Sequence, residues 1–191
     1  MSWFVAGLIL FFGSHSVSIV APAWRDRQEA ILGEGAWKGL YSVVSIVGLA
    51  LMLYGYGMAR RAPMVLYAPP AVLRHLALLL MLPVFPLLIA AYMPGRIKAL
   101  TRHPMLLAIQ LWALAHVLAN GTLNDVLLFG AFLGWAVIDR ISVARRSGVR
   151  RVPGAPASPW NDAIAVVLGL GLYAFVLLWA HARVIGVAPL A

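Results

Sequence analysis

Arg102-His103-Pro104-Met105-Leu106-Leu107-Ala108-Ile109-Gln110-Leu111-Trp112-Ala113-Leu114-Ala115-His116-Val117-Leu118-Ala119-Asn120-Gly121 decides how the rest of the chain is read. Basic residues and a proline open the stretch, an apolar run follows, and an Asn-Gly turn closes it. The run is nearly long enough to cross a hydrocarbon layer of about 30 Å, which takes roughly 20 helical residues. Gln110, Trp112, His116 and Asn120 interrupt it. An ionisable side chain at membrane depth is costly unless it faces a protein interior or serves a function. His116 is therefore the first candidate for a site.

The whole chain is of the same character. Of its 191 residues 63% are hydrophobic and 11% charged, and the mean hydropathy is +0.90. A soluble domain is about half apolar and about a quarter charged. Such a sequence cannot hide its apolar residues in one aqueous globule, so it reads as an all-α polytopic membrane protein. It has no cysteine, which excludes disulfides, thiolate metal ligands and cysteine nucleophiles. The net charge is +9, but the arginines flank apolar runs, as topology signals and lipid head-group contacts do. No basic face is left over for a nucleic acid.

About six spanning helices are expected, over residues 3–22, 38–58, 71–92, 104–120, 123–140 and 162–184. Met1-Ser2-Trp3 lacks the positive start of a signal peptide, so the first run reads as an uncleaved helix. The Asn120-Gly121-Thr122 turn should fold the fourth and fifth helices into a hairpin. Residues 1–191 read as a single membrane domain, in which 141–161 is a loop, basic at first and then a Pro/Gly/Ala/Ser linker. The basic half should lie on anionic lipid.

Arg25, Arg27, Lys38, Arg96, Lys98, Arg102, Arg140, Arg145, Arg146, Arg150 and Arg151 follow helices one, three and five. Arg60, Arg61, Arg74 and Arg183 fall on the other side. The positive-inside rule then puts both termini outside and the first group in the cytoplasm. Ser45, Gly48 and Gly55 mark one close-packing face, Gly130 and Gly134 another, and Pro83 and Pro86 should kink the third helix.

Five histidines are the candidates for chemistry. His75, His103 and His181 fall near predicted helix ends, where solvated or hydrogen-bonded histidines are ordinary. His15 and His116 are each the thirteenth residue of a run, about 18 Å from its start. Their helices run in opposite directions, so the two should share a depth to within about 6 Å. Gly13, Ser14 and Ser16 surround the first; Trp112 and Asn120 lie a turn either side of the second. Such a pair suits axial ligation of a b-type haem, and equally a hydrogen-bonded structural role. Zinc wants three or four ligands at one depth, and the remaining histidines are scattered. No two carboxylates are placed for paired acid–base work: Asp125 and Asp162 sit near helix starts, where negative charge is favoured.

Several separated motifs agree in order with one family. Phe12-Gly13-Ser14-His15, Leu32-Gly33-Glu34, Tyr92-Met93-Pro94-Gly95-Arg96, the Arg102 to Gly121 stretch and Trp135-Ala136-Val137-Ile138-Asp139-Arg140 resemble the NnrU family of bacterial membrane proteins. The resemblance implies a link to nitrite and nitric oxide metabolism. Through the related zeta-carotene isomerases it also implies haem b held by two histidines, matched by motif to His15 and His116, and redox-dependent isomerisation of a lipophilic polyene. Those isomerases have cysteine where this chain has Ala113, so no thiolate ligand is available. Arg102 and His103, at a helix start, suit an anion such as a haem propionate, with Trp112 and Asn120 as neighbours of the haem site. The Arg102-His103-Pro104 triplet also resembles part of an S-adenosylmethionine site in membrane methyltransferases, and a non-catalytic assembly factor of a respiratory complex is the third alternative.

Overall fold

The computed structural model describes residues 1–146 and 154–190, and among these the only extended pairing is an isolated bridge between Val65 and Thr122. The helices are α1 (Ser2–Val20), α2 (Pro22–Leu32), α3 (Glu34–Ala59), α4 (Ala71–Met81), α5 (Val84–Ala90), α6 (Arg96–Thr101), α7 (Pro104–Ala119), α8 (Leu123–Arg145), α9 (Asn161–Phe175) and α10 (His181–Ile185). A π-helical turn, Val176–Ala180, joins the last two. Five stretches are long and apolar enough to cross a membrane, and α7 is a shorter apolar helix. The protein is an all-α membrane protein, and its apolar helices fall on the six expected segments.

Two helices were not legible as spans, because they are short and polar. Pro22 at its first turn starts α2, and Gly33, at φ 81, ends it. Arg25 binds Asp26 and Glu29 and lies 5.9 Å from the centre of the Trp37 ring. Burial works against the Arg25 charge, but the two carboxylates hold it above its ordinary range.

The chain divides into two compact units, Met1–Ala68 with Asn120–Arg145 and Pro69–Ala119 with Arg146–Ala191. In the first, α1 and α3 run antiparallel along a glycine seam. A Cβ on Gly55 would strike the backbone of Phe4, one on Gly7 the backbone of Met52, and one on Gly48 the Phe11 amide nitrogen at 2.7 Å. Lipid tails are as apolar as the side chains, so helices associate in a membrane by close van der Waals contact, which small residues permit. Phe4 and Met52 are the large side chains sealed into the seam. It continues at Ser14 and Ser45, whose hydroxyls are 3.3 Å apart. The expectation for Ser45, Gly48 and Gly55 therefore holds. That for Gly130 and Gly134 does not: a Cβ on either meets nothing within 4 Å. Their helix, α8, leans on α1 through bulk instead, Phe132 touching Phe11 and Phe12.

The Asn120-Gly121 turn is present, and it separates α7, which belongs to the second unit, from α8, which belongs to the first. The polar groups of the turn are taken by another segment. Leu66 N–H donates to the Gly121 carbonyl at 2.8 Å, Leu123 N–H to Met64 O at 2.8 Å, and the Tyr67 hydroxyl to Asn120 O at 2.6 Å. Gly121 is needed for this approach, since a Cβ there would hit the Tyr67 carbonyl. Burial, and after it the charge of Asp125, pushes the Tyr67 phenol above its ordinary value, which keeps it a donor. Asp125 itself is buried with Asn124, where it accepts hydrogen bonds from Tyr56 and Thr122.

The second unit is built on a break. Pro83 has no N–H to offer the Leu79 carbonyl, so the Leu82 N–H turns to Leu79 O at 3.3 Å. That leaves the Leu78 carbonyl without its helical donor, and the Tyr173 hydroxyl supplies one at 2.9 Å. A freed carbonyl in a membrane must be satisfied from within the protein. The expected kink at Pro83 is thus a full interruption between α4 and α5, with Val84, Leu87 and Ala108 as the core beside it. Asp162 does not act only on its own helix: its carboxylate accepts the Arg96 and Ile97 N–H groups at 2.8 and 3.1 Å, capping α6. α8 continues five residues past 140, so the expected loop begins later, and its stretch 147–153 lies outside the described residues.

Candidate functional site

In the second unit α7 packs on α4 and α5, which sets His116 and Trp112 beside the Pro83 break. The His116 ring folds back one turn, and its Nδ1 lies 2.8 Å from the Trp112 carbonyl. A carbonyl oxygen only accepts, so Nδ1 carries the proton and Nε2 the lone pair. Trp112 and His116 have ring centroids 5.2 Å apart. Both line a cavity of about 240 Å³ whose other walls are Met81, Val84, Phe85, Leu88, Ala108, Ile109, Val176 and His181. Apart from the two imidazoles and the indole, this lining is hydrocarbon and thioether.

His181 was not expected there. Tyr173 marks the inward face of α9, since it reaches Leu78 and its ring lies 6.4 Å from that of Phe85. At about 100° per residue, a regular helix would bring Ala180 onto that face and turn His181 away. The π turn adds a residue: His181 N–H bonds back to Val176 O, five positions earlier. His181 consequently takes the inward place, its ring centroid 6.5 Å from that of His116 and its plane tilted by 30°. Its Nδ1 is held by the Val187 carbonyl at 2.7 Å. A sequence read at constant period cannot show the inserted residue.

His15 lies in the first unit and makes the same local bond, Nδ1 to the Phe11 carbonyl at 2.8 Å. Its surroundings differ. Phe11 stacks on the imidazole at 4.1 Å, Tyr41 is tilted at 5.2 Å, and Trp135 meets it edge-on at 5.8 Å. The Trp135 indole nitrogen is buried without a hydrogen-bond partner.

The other expected site residues lie elsewhere. Arg102 forms the corner between α6 and α7 at φ 60, with His103 N–H donating to Thr101 O at 2.6 Å. This is the rare γ-turn with positive φ, strained in any residue but glycine. His103 follows, its carbonyl accepting the Leu107 N–H as α7 begins. Neither lines the cavity, and Asn120 belongs to the first unit through its bond from Tyr67. Among the described residues no three His, Asp or Glu side chains gather as a metal cage.

No curated protein and no solved structure matches the chain. A family description does match, NnrU protein, over residues 3–189, nearly the full length. With the six apolar segments of its described residues and the motifs around His15, Gly95 and His116 inside that match, the chain belongs to the NnrU family.

Proposed function

We propose that this protein binds haem b in the bacterial inner membrane, where His116 would hold its iron, and serves nitrogen-oxide metabolism. One observation carries the proposal: the His116 Nδ1–H is committed to the Trp112 carbonyl, which leaves the lone pair on Nε2 of a residue that lines an apolar cavity. Ligating histidines are commonly fixed through their other ring nitrogen in this way. The donor chemistry therefore fits a b-type haem, which is held by its axial ligands and apolar contacts without covalent attachment. The cavity, at about 240 Å³, is smaller than a typical small-molecule site of roughly 300–1,000 Å³. The macrocycle would extend beyond it.

A bound haem would supply one-electron chemistry at the level of the lipid tails. This suits electron passage or sensing, and also the redox-dependent isomerisation of a lipophilic polyene drawn from the bilayer. His15, with its own Nδ1 fixed, is the counterpart that the family motif assigns. Arg102 and His103 are the proposed anion-handling pair at the start of α7. The excess of Lys and Arg on one side orients the chain with both termini outside and sets its basic residues on anionic lipid.

Absorption spectra of detergent-purified protein from haem-replete cells test this directly. A Soret band and, on reduction, the split visible bands of low-spin haem are expected, and His116→Ala should remove them. A colourless protein would refute the proposal.

A further inference from the structure

His116 and His181 line one cavity. Three observations meet there. First, both rings have Nδ1 tied to a backbone carbonyl, at 2.8 and 2.7 Å, which puts both lone pairs on Nε2. Second, the ring centroids are 6.5 Å apart. Two imidazoles in line on one ion, each with a metal–nitrogen bond of about 2.0–2.1 Å, have centroids roughly 6.4 Å apart. Third, His181 reaches the cavity through a π turn, an irregularity that costs helix geometry and is concentrated at functional sites.

We propose that His181 is the second imidazole ligand of a first-row transition-metal ion shared with His116. Imidazole nitrogen suits iron, copper, nickel and zinc. The ion is either the iron of a haem or a bare ion that completes its coordination with water or substrate. The role of His116 rests on the ligation proposed above; that of His181 is new and displaces His15 from the metal.

The test uses full-length protein in detergent and the variant His181→Gly, with free imidazole as the replacement ligand. His15→Gly serves as the control, and size-exclusion profiles confirm that each variant is folded. If the source is haem, the protein is six-coordinate and low-spin. His181→Gly then turns it high-spin with affinity lower by roughly tenfold or more, and added imidazole restores the low-spin bands. If the source is a bare ion, the haem-free protein retains one Cu(II) per chain after dialysis. His181→Gly loses that copper, imidazole restores it, and only the haem proposal fails. Low-spin haem unchanged in His181→Gly but lost in His15→Gly overturns the inference and leaves haem binding standing. Retention of neither haem nor copper overturns both.

Discussion

His15 and His116 make one and the same local bond, from Nδ1 to the carbonyl four residues back, yet their surroundings have little in common. His15 is enclosed by the rings of Phe11, Tyr41 and Trp135, next to a glycine seam that lets α1 and α3 touch backbone to backbone. His116 borders open volume, beside a proline break and opposite a second imidazole. The fixed tautomer prepares a histidine to ligate, but only the space in front of Nε2 decides whether anything can reach it. Rings from three helices stand around one imidazole, and a cavity lies beside the other.

The sharpest way to break this contrast is to spoil the filled region. Gly55→Leu drives a side chain into the Phe4 backbone and should destabilise the protein by about 1–3 kcal/mol or more. Thermal unfolding in detergent reads the loss, and an unchanged midpoint would remove the seam from the account. Next in size is the pair His116→Phe and His15→Phe. Each gives up a hydrogen bond of about 0.5–1.5 kcal/mol, but only His116→Phe should abolish the metal or haem spectrum. Equal spectral loss from both would erase the distinction between the two regions.

Tyr173→Phe probes how the open region is held. It leaves the Leu78 carbonyl without its donor, at a cost of about 0.6 kcal/mol if it behaves as an average hydrogen bond in a membrane. A small fall in midpoint with an altered visible spectrum would place the helix break in control of the cavity. The smallest effect is expected of Gly130→Ala. Nothing lies within 4 Å of the added methyl, so stability should stay within about 0.5 kcal/mol. A larger loss would show that Gly130 packs after all.

Much of this was legible in the sequence. Apolar runs bounded by arginines set the helices, because a membrane admits almost nothing else at that length. Ser45, Gly48 and Gly55 could be read as a packing face since their spacing repeats at the helical period. The identical small-residue signal at Gly130 and Gly134 failed, because spacing reveals which residues share a face and not what covers it. Asp125 was readable only as a charge near a helix start; its hydrogen bond from Tyr56 comes from a residue far along the chain.

The sequence by itself determined an all-α membrane protein, its apolar helices, its family motifs and the two histidines placed well inside their runs. Hydropathy and period are local properties, and they survive any packing. Tertiary structure alone decided that His15 sits in an aromatic box and that His181 joins His116. The first depends on rings brought in by other helices. The second depends on one extra residue in a π turn, which rotates everything after it by about 100° and leaves no trace in composition or spacing.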